Sequence, residues 1–90
     1  MPTFLFNIRE LRDIAATLPT DQDTIRLTGY VYDSQMREAG GPDQVKCNGC
    51  NWEVTRLFVR ADSRAQAEQL LASGDAGLCG ECYAEMLAEA

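Results

Sequence analysis

The chain has 90 residues, 46% of them apolar, with 14 acidic and 8 basic side chains and a net charge of −6. That profile fits one folded domain and argues against wholesale disorder. It also argues against a sequence-blind nucleic-acid binder, which needs Lys and Arg to neutralise phosphates.

A domain this short buries roughly 60–65% of the surface its unfolded chain exposes, and such domains are commonly stapled by disulfides or a metal. The charge is unevenly placed. All basic residues lie between Arg9 and Arg64, whereas residues 65–90 carry Glu68, Asp75, Glu81, Glu85 and Glu89 with no cation. No signal-peptide core and no stretch of membrane-spanning length is visible, so the expectation is a cytoplasmic chain with reduced cysteines.

Taken in chain order, Phe4-Leu5-Phe6 reads as a short buried strand or an apolar lead into a helix. Asn7 and Glu10 form a capping-box pair. Ile8, Leu11, Ile14, Ala15 and Leu18 then recur at helical spacing up to Pro19, which ends the helix. Thr20 to Asp23 is a polar turn. Thr24 to Tyr32 reads as one strand, with Ile25, Leu27 and Val31 on one face and Arg26, Thr28, Tyr30 and Tyr32 on the other. Asp33 to Asp43 is the longest loop, with one helical turn expected at Met36 to Ala39. A second strand is expected from Trp52 to Arg60. Asp62 or Ser63 caps the next helix, with Gln66 at the capping-box position, Ala67, Leu70 and Leu71 inward and Gly74 as the stop. A last helix starts near Gly80 and presents Tyr83, Met86 and Leu87 as core.

Four cysteines stand in two pairs, Cys47-Asn48-Gly49-Cys50 and Cys79-Gly80-Glu81-Cys82, with 28 residues between the pairs and no cysteine left over. A C-x-x-C turn lets two sulfurs point at one ion, and two such turns complete a tetrahedral shell. One structural ion is therefore expected on Cys47, Cys50, Cys79 and Cys82, zinc in preference to iron. Asn48-Gly49 is a dipeptide suited to the positive φ expected of a knuckle. Trp52 is placed to roof the site. The second pair opens a helix, where free N–H groups and the helix dipole favour thiolates.

A knuckle before a strand and a second pair at a helix N-terminus resemble the treble-clef class of zinc fingers. The likeness covers residues 47–90 and rests on the two cysteine pairs. It implies a structural zinc site, and it departs from the simplest pattern because a strand and a helix replace the usual hairpin between the pairs. A rubredoxin-like iron centre with an electron-transfer role also uses two C-x-x-C pairs at similar separation. Its knuckles, however, are each followed by glycine, where this chain has Asn51 and Tyr83. A thioredoxin-like dithiol leaves Cys47 and Cys50 without a role, and two disulfides conflict with the expected compartment.

The chain has no histidine, a four-thiolate zinc has no open position for water, and no phosphate loop or nucleophile elbow is present. The reading is therefore non-catalytic. Were strands 24–32 and 52–60 to pair, one face would gather Arg26, Tyr30 and Tyr32 beside Arg56, Phe58 and Arg60, a combination suited to single-stranded nucleic acid or an acidic peptide. The favoured expectation is that Phe58 lies in the core and the arginines are solvated or paired with helix acids. Glu85 and Glu89 on the last helix read first as a solvated face, and more sharply as a contact for a basic partner.

The expectation is one domain over residues 1–90, a small zinc-stapled α+β fold with a short antiparallel sheet and about three helices. In it the helix and strand of residues 1–46 pack on a treble-clef-like zinc-binding half, residues 47–90. The expected function is a zinc-binding adaptor or regulator that binds another protein. The alternatives are a nucleic-acid-associated zinc-finger regulator, a small acidic inhibitor or nucleic-acid mimic of a mobile element, and a rubredoxin-like electron carrier.

Overall fold

The computed structural model describes residues 1–18, 24–74 and 76–89; the expected polar turn at Thr20 to Asp23 lies outside them. These residues form an α+β domain whose core is built on a ribbon between the first strand and a strand late in the chain. β1 (Thr3–Asn7) runs antiparallel to β6 (Arg56–Arg60), with Phe4 opposite Val59 and Phe6 opposite Leu57. Directly opposed residues share a face. Phe6, Leu57 and Val59 are buried accordingly, while Leu5, Arg56 and Arg60 on the other face are exposed.

α1 (Ile8–Thr17) follows β1 without a loop. Asn7 makes this abrupt change workable: its side chain accepts from the Glu10 N–H, and the Glu10 side chain accepts from the Asn7 N–H, completing the expected capping box. Leu11, Ile14 and Ala15 are buried against the ribbon. Arg64 lies over the Phe6 ring, its guanidinium carbon 4.6 Å from the centroid, and pairs with Glu10.

The stretch expected as one strand from Thr24 to Tyr32 is a hairpin. β2 (Ile25–Leu27) and β3 (Tyr30–Tyr32) pair antiparallel, with Leu27 opposite Tyr30 and Arg26 opposite Val31. Thr28 and Gly29 turn the chain at φ +48° and +83°, the doubly positive geometry of a two-residue hairpin. The turn is held down by the Thr28 N–H, which donates to the Leu71 carbonyl at 2.9 Å. This reversal regroups the side chains. Leu27 and Tyr32 are buried, whereas Val31, expected beside Leu27, is 60% exposed.

α2 (Ser34–Glu38), capped by Asp33, takes the place of the expected turn at Met36 to Ala39. The expected second strand divides into β5 (Glu53–Val54), which pairs with β4 (Val45–Lys46), and β6. The described residues thus carry three two-stranded ribbons, not one sheet, and four helices. Ser63 caps α3 (Arg64–Ser73), and the Gln66 side chain accepts from the Asp62 N–H at 2.7 Å. α3 buries Ala67 and Leu71 and ends at Gly74 as expected. α4 (Gly80–Glu89) packs on the outer face of the β1–β6 ribbon, where Tyr83 stacks on Phe58 at 5.5 Å and its hydroxyl meets that of Thr3. Only the first turns of α4 reach the core. Tyr83 is buried and Met86 half-buried, whereas Leu87, expected inside, is 47% exposed.

Candidate metal centre

Two segments remote in sequence deliver the four sulfurs. The first is the turn between β4 and β5. The Cys47 N–H donates to the Trp52 carbonyl at 3.0 Å and the Asn51 N–H donates to the Cys47 carbonyl at 3.0 Å, closing residues 47–52 into a knuckle. The second is the segment entering α4. Leu78 exchanges backbone hydrogen bonds with Phe58 at 2.7 and 3.0 Å, which sets Cys79 beside the knuckle and Cys82 on the first turn of the helix.

All four Sγ atoms lie within 4.8 Å of one another, and Cys50 and Cys79 Sγ are 3.9 Å apart. A zinc–sulfur bond of about 2.3 Å corresponds to a tetrahedron edge of about 3.8 Å, so this spacing fits a single bound ion. The donor set is four soft thiolates, which suits zinc or iron and disfavours magnesium or calcium. Cys47, Cys50, Cys79 and Cys82 together form a site able to hold a metal ion.

The electrostatics of the sulfurs point the same way. Burial alone pushes the Cys47 thiol up. Backbone N–H groups of Cys79, Cys50 and Gly49 aimed at its sulfur outweigh that burial and bring it down to about 6. Cys82 moves to about 12, chiefly because its neighbours Cys79 and Cys47 hold its proton in hydrogen bonds. One thiolate in the cluster thus discourages the next, and a divalent cation at the centre is the charge that lets all four ionise.

The fine geometry corrects two expectations. Neither Asn48 nor Gly49 takes positive φ; that conformation falls on Asn51, at φ +63°. Gly49 is needed for space instead. A β-carbon there would stand 2.9 Å from Cys82 Sγ and 3.1 Å from Cys82 Cβ. Nor does Trp52 roof the site. Its side chain is 72% exposed, and it is the Trp52 backbone N–H that addresses Cys50.

One structural residue was not legible in the sequence. Asn48 donates from Nδ2 to the Ala76 carbonyl at 2.6 Å and the Gly77 carbonyl at 3.2 Å, and its own N–H donates to Gly77 at 3.0 Å. It is the clamp between the two cysteine-bearing segments. An asparagine inside a C-x-x-C turn reads as a turn former, and nothing local announces a partner 28 residues away.

The alternative arginine–tyrosine face is not assembled. β2–β3 and β6 do not pair among the described residues. Arg26 lies opposite Val31 on the hairpin face away from Tyr30 and Tyr32. Tyr32 is buried with its ring tilted at 45° against that of Tyr30, whose ring sits under Lys46 Nζ at 5.8 Å. Arg56 and Arg60 are exposed on the outer face of the β1–β6 ribbon, and Glu85 and Glu89 are exposed on α4. No described helix is long and apolar enough to cross a membrane. No protein-family model, curated protein or solved structure matches the chain.

Proposed function

We propose that this chain is a zinc-stapled, non-catalytic cytoplasmic module, treble-clef-like in its C-terminal half, that works by binding a basic region of another protein. The observation that carries the reading is the closed donor set. Four cysteine sulfurs from two clamped segments would satisfy a tetrahedral ion completely and leave no position for a substrate or water. Such an ion organises a fold and leaves function to the surrounding surface. Zinc is favoured over iron because the second pair opens α4, where helix N–H groups support the thiolates, in place of the short turn of a rubredoxin knuckle.

The surface is acidic. The chain carries −6, and a divalent ion held by four thiolates adds about −2. Glu85 and Glu89, both exposed on α4, extend the negative field that would steer a basic partner.

The test has two parts. Elemental analysis of protein purified without added metal or chelator should give zinc at near-unit stoichiometry and a colourless solution; visible charge-transfer bands would instead assign iron and electron transfer. Affinity capture from native extract should return the same basic protein with and without nuclease. Recovery that disappears with nuclease would replace this reading with a nucleic-acid one.

A further inference from the structure

Trp52 is the single tryptophan of the chain and is 72% exposed. An indole left in water while smaller apolar residues are buried is a costly arrangement for a side chain with no task, and tryptophan is enriched where proteins bind. Among the described residues it makes no ring–ring or cation–π contact with its own chain.

Its surroundings form a track. Three shallow hollows of about 540, 560 and 290 Å³ all share Gln44 and Glu53 in their walls. The first two also share Cys50 and Trp52, and the second reaches Glu81 at the start of α4. The third runs the other way to Val31 and Met36, which are 60% and 41% exposed. An extended peptide lying along this track would meet the indole, two apolar side chains, and the carboxylates of Glu53 and Glu81. The cation among these lining residues is Arg56, and the thiolate centre flanks the same wall.

Resting on the protein-binding reading above, we infer that the Trp52–Glu53 track is the docking site for an extended lysine- or arginine-bearing segment of a partner protein. A cationic side chain is held over the face of Trp52, with Glu53 and Glu81 neutralising it. Apolar residues of the same segment settle against Val31 and Met36. The chemistry favours a peptide over single-stranded nucleic acid: bases would stack on Trp52, but their phosphates would meet carboxylates.

The test uses the 90-residue, zinc-loaded chain and a labelled Lys/Arg-rich decapeptide, with a Glu-rich decapeptide and a single-stranded RNA decamer as comparisons. Anisotropy of the label reports binding in every variant, and Trp52 emission reports its location. Saturable binding of the basic peptide alone is expected, with a change in Trp52 emission. Trp52→Ala and Glu53→Lys should each weaken binding by about tenfold or more. The Glu85→Lys/Glu89→Lys double variant, altered outside the residues that line the hollows, should weaken it by about threefold or less. Zinc content and dispersed amide spectra confirm that each variant is folded. Affinity unchanged in Trp52→Ala, loss centred on Glu85 and Glu89, or no peptide binding at all would overturn the track while a captured protein partner kept the broader reading. Preferential binding of the RNA with quenching of Trp52 would overturn both.

Discussion

The sulfur of Cys47 accepts a hydrogen bond from the backbone N–H of Cys79 at 3.3 Å, although 32 residues separate them in the chain. The Gly49 N–H reaches the same sulfur at 3.3 Å. Cys47 is fully buried and is thus the point where knuckle and helix entry meet. The metal would tighten a junction that the backbone already outlines.

Metal removal should therefore unfold the chain. Structural zinc in small domains contributes on the order of 10 kcal/mol, comparable to the roughly 5–13 kcal/mol total stability of a domain of this size. Chelation, or Cys79→Ser or Cys82→Ser, is expected to collapse amide dispersion in NMR spectra. Spectra that stay dispersed would refute a structural metal.

Gly49→Ala should act on the metal and not on the backbone. Its β-carbon would stand 2.9 Å from Cys82 Sγ, so Cys82 or the knuckle must shift. Zinc affinity, measured by competition with a calibrated chelator, is expected to fall by about tenfold or more, a cost of about 1.4 kcal/mol. An unchanged affinity would show that the two segments do not approach this closely.

Asn48→Ala removes the clamp to the Ala76 and Gly77 carbonyls. With two acceptors left to water, the expected loss in the zinc-loaded protein is about 1–2 kcal/mol in urea denaturation. Asn48→Asp should cost at least as much, since it retains size but loses the donors.

Trp52→Ala is expected to leave stability and zinc affinity within about 0.5 kcal/mol of the parent, because the indole is 72% exposed. A lid over the cluster would give a large loss of zinc instead, so thermal melting and chelator competition separate the two roles.

Tyr32 is expected to weaken the fold at alkaline pH. Burial, helped by the neighbouring Tyr30, holds its phenol well above the usual tyrosine range. The folded state therefore favours the protonated ring. That contribution is complete below the unfolded value near pH 10 and is lost as pH rises toward the folded value. Urea midpoints should fall steeply above about pH 10 in the parent and less steeply in Tyr32→Phe. Near neutral pH the variant should lose about 1 kcal/mol or less, since the bond that the hydroxyl donates to the Gln44 carbonyl is long, at 3.4 Å. Identical alkaline slopes would exclude Tyr32 as the titrating group.

The features readable from the residues alone were those that close over three or four positions. The Asn7–Glu10 box, Ser63 with Gln66, the Gly74 stop and the two C-x-x-C pairs each carry both partners within one turn of chain, so composition and spacing determine them. The junction of the two cysteine pairs was also legible, because four thiolates have few other fates in so small a fold. Tertiary structure decided the rest. An apolar run cannot announce whether it continues or reverses, and Thr28 accepts the turn's positive φ because Leu71, on α3, receives its N–H. The pairing of β1 with β6, the partner of Asn48 and the outward set of Trp52 likewise depend on groups tens of residues away. Local periodicity reports which faces are apolar; only packing assigns each face its neighbour.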